Sequence, residues 1–303
     1  MTEPTDSLPT HKDDFGRVYD LEDPSPYFTA LRPSDYRMPE VLAGALDAIH
    51  RTVCDTRGTG DTLRVLDFAC GYGAVGALLR HDVSMAAIYA RYGGRQWRPV
   101  DGRAYWEADA AFFAARRAAP ASFEIGGADI AGVALEYAAA LGFLDRIFHE
   151  NLVEDAPSGE LKRFLHGADL VVESGSLGDL LPVAFERVLD ACGDTARPWF
   201  VYCPRPDIDW APLDALWAAR GYRTESLGTE PVRYRRALAA REQGDMLRVT
   251  RALGRPDETV MRDGYLLVDM TLARPEVDAG NPPIERLRGS YDGGGRAPAI
   301  PVP

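Results

Sequence analysis

A short apolar run that ends in a glycine-broken turn is the feature of this sequence that most restricts its fold. Thr62 to Leu66 reads TLRVL, a run rich in strand formers, and it leads directly into Asp67 to Gly73, which reads DFACGYG. The residues that follow, AVGALLRHD, are typical of a helix start. Glycines let a ligand approach the backbone closely, and a helix N-terminus presents free N–H groups. The segment therefore predicts a strand, a tight turn and a helix, with a ligand at the turn.

Strand and helix patterns alternate after this turn. The further predicted strands read ASFEIGGADI, RIFHENL, ADLVVES, PWFVYCP, YRTESLG and GYLLVDMTLARP. Helical patterns with apolar residues at a spacing of three to four separate most of them, among them AGVALEYAAALGFLD and LGDLLPVAFERVLDAC. Repeated strand–helix units predict an α/β fold, a mostly parallel sheet of seven strands with helices on both faces.

The predicted organisation has four parts. They are a disordered N-terminus (1–18), a helical cap or lid (19–58), the α/β domain (59–275) and an extended or disordered tail rich in Gly and Pro (276–303). Within the cap, an amphipathic helix is expected to begin at Pro39, because proline is common in a first helical turn. An α-rich insertion with many aromatic residues is expected at 84–120.

Composition excludes several classes of function. The 303 residues carry a net charge of -12, which disfavours nucleic acid as a partner because binding phosphates needs a basic face. The four cysteines lack C-x-x-C spacing and the five histidines lack an H-x-x-x-H pair, so no metal site is expected. No apolar run reaches transmembrane length, and the acidic N-terminus is unlike a signal peptide. A cytoplasmic protein with no membrane partner is expected.

Three motifs, in order, carry a resemblance to a known family. They read VLDFACGYG, IGGADIAGVALEYA and GADLVVESGSLGDL. Over roughly residues 60–275 the chain resembles the class I S-adenosylmethionine (SAM)-dependent methyltransferases, whose first, second and fourth strands carry such motifs. The resemblance implies a Rossmann-like fold, SAM as cofactor and a transferase activity. The family's N-P-P-Y and Pro-Cys motifs are absent, which argues against nucleobase acceptors.

The resemblance also implies which residues bind the cofactor. They are Asp67, Ala69, Gly71, Gly73, Asp129, Ile130, Asn151, Leu152 and Tyr27. Asp129 would hold both ribose hydroxyls, because a carboxylate is an acceptor with two oxygens. Ile130 would pack on the adenine, and Asn151 and Leu152 would contact its edge. Alternatives stay open: Asp67 as a turn cap, Asp129 as a helix cap and Asn151 as a loop-stabilising residue.

Three residues are candidates for a catalytic role. Glu173 and Ser174 follow the fourth predicted strand, where the reactive methyl group would lie, although a surface or ion-paired role for Glu173 is equally open. Tyr36 is the first candidate for a contact with the sulfonium or the substrate, through a cation–π interaction. The alternative is that the aromatic residues of the cap are core residues.

Two further segments could complete the site. The insertion could form another wall through its aromatic residues Tyr89, Tyr92, Trp97, Tyr105 and Trp106. Arg233, Tyr234, Arg235 and Arg236 could hold a carboxylate substrate or lie on the surface.

The function predicted is a SAM-dependent methyltransferase that acts on a small molecule in bacterial secondary metabolism, by direct displacement at the sulfonium methyl. The first alternative resembles the azetidine-2-carboxylate synthases, which cyclise SAM itself and release methylthioadenosine. The second is a SAM-binding protein without turnover. The expected partners are a small molecule or SAM alone, and the chain is expected to be a monomer or homodimer.

Overall fold

Ten strands are found in the residues that the computed structural model describes, which are 15–16, 18–93, 102–118, 122–193 and 196–289. They are β1 (Thr62–Phe68), β2 (Ser122–Asp129), β3 (Arg146–His149), β4 (Leu170–Glu173), β5 (Trp199–Tyr202), β6 (Tyr222–Ser226), β7 (Val232–Arg236), β8 (Met261–Arg262), β9 (Tyr265–Val268) and β10 (Thr271–Pro275). Seven of them form one sheet in the order β3–β2–β1–β4–β5–β10–β6. Only β10 runs antiparallel to its neighbours in that sheet. The predicted α/β, Rossmann-like fold is confirmed.

The α-helices among the described residues surround this sheet. They are α1 (Ser25–Leu31), α2 (Met38–Arg57), α3 (Ala74–Arg80), α4 (Met85–Gly93), α5 (Trp106–Ala114), α6 (Gly132–Ala140), α7 (Gly159–Leu165), α8 (Leu181–Cys192), α9 (Ala211–Ala219), α10 (Ala240–Ala252) and α11 (Asp257–Val260). None of these is long and apolar enough to cross a membrane. The helix predicted from Pro39 is α2, which has proline in its first turn and ends at Gly58 with a φ of 67°.

Alternate residues of the central strands build two hydrophobic cores, one on each face of the sheet. In β1, Leu63 and Val65 face one core while Leu66 and Phe68 face the other. The first core packs on α2, α3 and α6, and the second on α7, α8 and α9. A parallel sheet buried on both faces needs such continuous apolar strands.

The strand order brings three carboxylates to one edge of the sheet. β1 lies between β2 and β4, and Phe68 at its end pairs with Ala128 and Glu173. Asp67, Asp129 and Glu173 therefore stand at the carboxyl ends of adjacent parallel strands. In open α/β sheets this is where ligands bind, at the point where the strand order reverses.

One predicted strand is wrong in its extent. The segment GYLLVDMTLARP was predicted as a single final strand, whereas in the structure it forms two strands, β9 and β10. β10 joins the main sheet, and β9 pairs with β7 and β8 in a separate antiparallel sheet of three strands. The local residue pattern does not show the break because both halves are apolar and buried.

Two terminal segments were predicted to lack structure. The predicted disordered segment 1–18 lies almost entirely outside the described residues. Of the predicted tail, the structure describes residues 276–289, which include a 3₁₀ helix at Ile284–Arg286. Leu287 is 2% exposed, so this part of the tail packs on the protein. Ile284 and Leu287 bury their apolar side chains there, which the Gly- and Pro-rich composition of the tail did not indicate.

Candidate active site

A cavity of about 300 Å³ opens at the carboxyl ends of β1, β2 and β4. Seven aromatic rings line it, from Phe15, Tyr19, Tyr27, Phe28, Tyr36, Tyr72 and Tyr234. The first five come from the chain before β1. Its polar wall includes the buried carboxylates of Asp67 and Asp129. Rings and carboxylates together suit a ligand that carries positive charge.

Of the two glycines that the sequence predicted to lie against a ligand, only Gly71 lines the cavity in the described part of the chain. Ala69 and Gly71 line the cavity and have φ of 53° and 50°, in the left-handed region. Gly73 also has a left-handed φ, of 69°, but a Cβ there would meet the Cβ of Ala138 at 2.8 Å. Gly73 therefore lets α3 approach α6, and among the described residues it is not one that lines the cavity. The predicted ligand contact of Gly73 stays a prediction.

Asp67 holds a buried oxygen without a partner. Its side chain is 2% exposed, and its Oδ2 accepts no hydrogen bond from the described residues. Burial raises the pKa of Asp67 well above 3.8, and the nearby Asp129 and Glu173 raise it further. An unsatisfied buried acceptor is unfavourable, so a cationic or hydrogen-bonding ligand would find a prepared partner here.

Asp129 is bound by the turn and by the helix that follows β2. Its Oδ2 accepts from the Gly71 N–H at 2.8 Å, and its Oδ1 from the Ala131 N–H at 2.9 Å. The Tyr19 hydroxyl also donates to Oδ2, at 3.1 Å. Burial raises the pKa of Asp129, and these hydrogen bonds oppose that effect. The carboxylate thus joins the glycine turn to the start of α6 and still faces the cavity.

Two of the three predicted catalytic residues, Glu173 and Ser174, lie at the end of β4 and at the start of the loop that follows it. Glu173 is fully buried and accepts from the Gly175 N–H at 2.8 Å and from the Ser176 N–H and hydroxyl at 2.5 and 2.8 Å. Its carboxylate therefore fixes the loop, and Glu173 is absent from the described residues that line the cavity. Ser174 does line it, and so does Ser176.

Two tyrosines hold the backbone of this loop. The Tyr36 hydroxyl donates to the Ser174 carbonyl at 2.9 Å, and the Tyr234 hydroxyl donates to the Gly175 carbonyl at 2.7 Å. Their rings pack edge to face with centroids 5.5 Å apart. Burial raises the pKa of Tyr36, so its hydroxyl stays protonated and acts as a donor. Both rings line the cavity next to the loop.

Three of the residues predicted to bind adenine lie in different environments. Ile130 lines the cavity and is 61% exposed. Asn151 accepts from the Val153 and Glu154 N–H groups, which is the loop-stabilising role left open by the sequence. Leu152 is packed in the core on the far face of the sheet. Neither Asn151 nor Leu152 is among the described residues that line the cavity.

The insertion does not supply the wall predicted for it within the described residues. Tyr89 and Tyr92 are buried in the core, and the Tyr89 hydroxyl donates to the Tyr36 carbonyl at 2.6 Å. The Trp106 indole donates to the Glu22 carbonyl at 2.7 Å. Trp97 lies outside the described residues. The described part of the insertion therefore contacts residues around the cavity but does not itself line it.

The arginine cluster forms β7 of the small sheet, and its members are paired. Arg233 is exposed and pairs with Asp263 at 2.9 Å. Arg235 lines the cavity but pairs with the buried Glu242 at 2.7 Å. Arg236 lies over the ring of Tyr265. The predicted carboxylate-binding role would compete with the Glu242 carboxylate at Arg235.

Several residues of the site were not recognised in the sequence. Tyr19 and Phe15 line the cavity, and Gly76 completes a G-x-G-x-x-G spacing with Gly71 and Gly73. A Cβ at Gly76 would collide with the Phe143 carbonyl, so this glycine permits close packing beside α3. The spacing itself was the signal for Gly76. For Tyr19, the only signal was an aromatic residue beside acidic ones before β1.

Other clusters of polar residues add no metal site. Within the described ranges, no group of three or more His, Cys, Asp or Glu side chains is placed to hold a metal ion.

No protein-family model and no curated protein matches this sequence. Among solved structures, the chain is similar to the plantazolicin methyltransferase BpumL in complex with SAH, with a TM-score of 0.41 and 10% identity over 87% of this chain and 97% of the other. A TehB-like SAM-dependent methyltransferase from Corynebacterium glutamicum is similar with a TM-score of 0.34 and 13% identity, over 74% of this chain and 87% of the other. The (4+2)-cyclase SpnF is similar with a TM-score of 0.35 and 14% identity, over 76% of this chain and 80% of the other.

Proposed function

We propose that this protein is a SAM-dependent methyltransferase that acts on a small molecule, in bacterial secondary metabolism. The observation that carries the proposal is the pair of buried carboxylates, Asp67 and Asp129, at a glycine turn beneath an aromatic wall. The unpartnered Oδ2 of Asp67 suits the ammonium of the methionine part, and Asp129 suits a ribose diol. The left-handed Gly71 has no side chain of its own to keep a ligand from the backbone of the turn.

When bound, SAM supplies a methyl group made electrophilic by its sulfonium. The residues of this chain would orient the two reactants and exclude water, which can lower a barrier by roughly 7–11 kcal/mol in favourable cases. Tyr36 and Tyr234 hold the Ser174 loop in place through hydrogen bonds. The aromatic rings around this loop would exclude water and could contact the positively charged sulfonium through cation–π interactions. We assign Glu173 a positioning role, because its oxygens are engaged by its own loop.

One experiment tests the cofactor. Calorimetry with S-adenosylhomocysteine should show binding to the wild type, and Asp129→Ala should weaken it by roughly 1–3 kcal/mol if the carboxylate holds the ribose. Asp155→Ala, an exposed carboxylate away from the cavity, is the matched control and should leave the affinity unchanged. Equal affinities of Asp129→Ala and wild type would refute the role of Asp129.

A second experiment separates the reactions. The protein is incubated with SAM alone and the products are identified by mass spectrometry. A methyltransferase leaves SAM unconverted until an acceptor is added. Release of methylthioadenosine together with azetidine-2-carboxylate would instead establish cyclisation, and binding without conversion under any acceptor would indicate a non-catalytic SAM-binding protein.

A further inference from the structure

The Asp129 carboxylate has too few free acceptor positions for a ribose. A carboxylate offers about four such positions. Three are taken in this structure, by the Gly71 N–H, the Ala131 N–H and the Tyr19 hydroxyl. One position remains, whereas a diol held through both of its hydroxyls needs two.

Of these three donors, only Tyr19 can leave without changing the backbone. The Gly71 N–H belongs to the turn after β1, whose left-handed residues fix its direction. The Ala131 N–H belongs to the residue that precedes α6. The Tyr19 hydroxyl reaches Asp129 from a distant part of the chain through a rotatable side chain.

Tyr19 lies on the surface that a ligand at the turn would use. Its hydroxyl oxygen is only 2.5 Å from the position that a Cβ of Gly71 would occupy. Its ring packs against Tyr27 and Tyr72, with centroid distances of 5.3 and 6.1 Å. Burial, and next the charge of Asp129, raise the pKa of Tyr19, so its hydroxyl remains a donor.

The segment that carries Tyr19 is held by its neighbours. We call residues 18–24 the N-terminal strap. Asp20 accepts from the Val133 and Ala134 N–H groups at the start of α6, at 2.6 and 3.1 Å. The Leu21 backbone exchanges two hydrogen bonds with the Tyr72 hydroxyl. The strap can therefore stay in place while the Tyr19 side chain rotates.

From this geometry we propose that Tyr19 is a placeholder for a ligand hydroxyl. In the empty site the Tyr19 hydroxyl donates a hydrogen bond to Asp129, and it is displaced when a ribose binds. The proposal rests on the proposed function, since it concerns the nucleoside part of the same ligand. It assigns Tyr19 a positioning role, because Tyr19 acts through Asp129. Its side chain makes the empty site stable and at the same time opposes binding.

The test is a double-mutant cycle read by calorimetry with S-adenosylhomocysteine. Tyr19→Phe keeps the ring and removes the hydroxyl, so it should bind the ligand roughly tenfold more tightly than wild type. In the Asp129→Ala background the same substitution should have no effect, because the partner is gone. Tyr19→Phe should also lower the thermal midpoint of the ligand-free protein, so stability and affinity change in opposite directions. A merely structural role of Tyr19 would not raise the affinity for the ligand while lowering the thermal midpoint.

Tyr222→Phe is the matched control. It removes another buried phenolic hydrogen bond, to the Pro198 carbonyl at the far edge of the sheet, and should leave the affinity unchanged. Weaker or unchanged binding by Tyr19→Phe, or an equal gain in the Asp129→Ala background, would overturn the placeholder while leaving the proposed function standing. No binding by the wild type would overturn both.

Discussion

Asp67 shows how a single residue can be unfavourable for folding and useful for binding. Its Oδ2 is buried without a partner among the described residues, and the adjacent strands bring Asp129 and Glu173 close. A fold that needed only stability would place an asparagine or an apolar residue here. The cost is explained if a ligand supplies the missing partner.

Asp67→Asn should stabilise the ligand-free protein at pH values above the ordinary pKa of an aspartate by about 1–3 kcal/mol, since it keeps the shape of the side chain and removes a group whose ionisation burial disfavours. Burial raises the folded pKa of Asp67 above the ordinary value of 3.8. The contribution of Asp67 to stability is therefore complete below about pH 4 and is lost as the pH rises through the folded pKa. Urea unfolding from pH 4 to 8 should show the wild type falling below Asp67→Asn.

The control for this prediction is Asp61→Asn, at an exposed aspartate just before β1. It should follow the wild type at every pH. A wild type that gains stability relative to Asp67→Asn as the pH rises would contradict the assignment, because it would mean that the carboxylate of Asp67 is stabilised in its charged form.

At the scale of elements, the loop after β4 depends on one carboxylate. Glu173 accepts three hydrogen bonds from Gly175 and Ser176, and the two tyrosines hold the loop from the opposite side. The orientation of Ser174 and Ser176 toward the cavity follows from this arrangement.

Glu173→Gln should destabilise the protein by about 1–3 kcal/mol, because an amide can replace only one of the two acceptor oxygens in this buried site. Affinity for S-adenosylhomocysteine should change much less than in Asp129→Ala. Denaturant unfolding and calorimetry measure the two effects. Asp179→Asn, exposed in the next turn, should change neither. Full stability with abolished conversion of SAM would restore the catalytic role predicted for Glu173.

The elements that sequence predicted well are those whose signal is local. β1, β2 and β4 are largely apolar runs with an acid at the last position or next to it, and such runs point to buried strands of a parallel sheet. The small sheet was missed because β7 reads VRYRR and is separated along the chain from its partner β9 by α10, α11 and β8. Asn151 and Leu152 were assigned to the ligand by order in the chain, which does not show that Leu152 faces the other core.

At the scale of the whole molecule, the cavity joins distant parts of the chain. Phe15 and Tyr36 come from the N-terminal segment, Asp67 and Ser174 from the main sheet, and Tyr234 from the small sheet. No local pattern predicts that such a set meets in space, so the sequence offered several rings of the wall as candidates but could not place them around one cavity. A ligand that filled the cavity would contact all of these parts at once.

Ligand binding should therefore stabilise the entire fold. At a free concentration of S-adenosylhomocysteine 100 times its Kd, the free energy of unfolding should rise by about 2.7 kcal/mol. Far- and near-ultraviolet circular dichroism should show one unfolding transition that moves to higher temperature by both signals. If the ligand shifted only part of the signal, the N-terminal segment would be unfolding independently, and the cavity would not unite the parts that line it.

The pairing of β6 with β10 has a consequence for how such a protein changes over time. Ser226 ends β6 and faces Thr271, the first residue of β10, so the chain leaves the main sheet and returns to it at neighbouring points. The residues in between, 227–270, form one continuous excursion from the main sheet, which also contacts the loop after β4 through Tyr234 and the segment after β5 through Arg255. A relative with a different sequence in this excursion would have a different Tyr234 side of the cavity, while the strand order of the main sheet could stay the same.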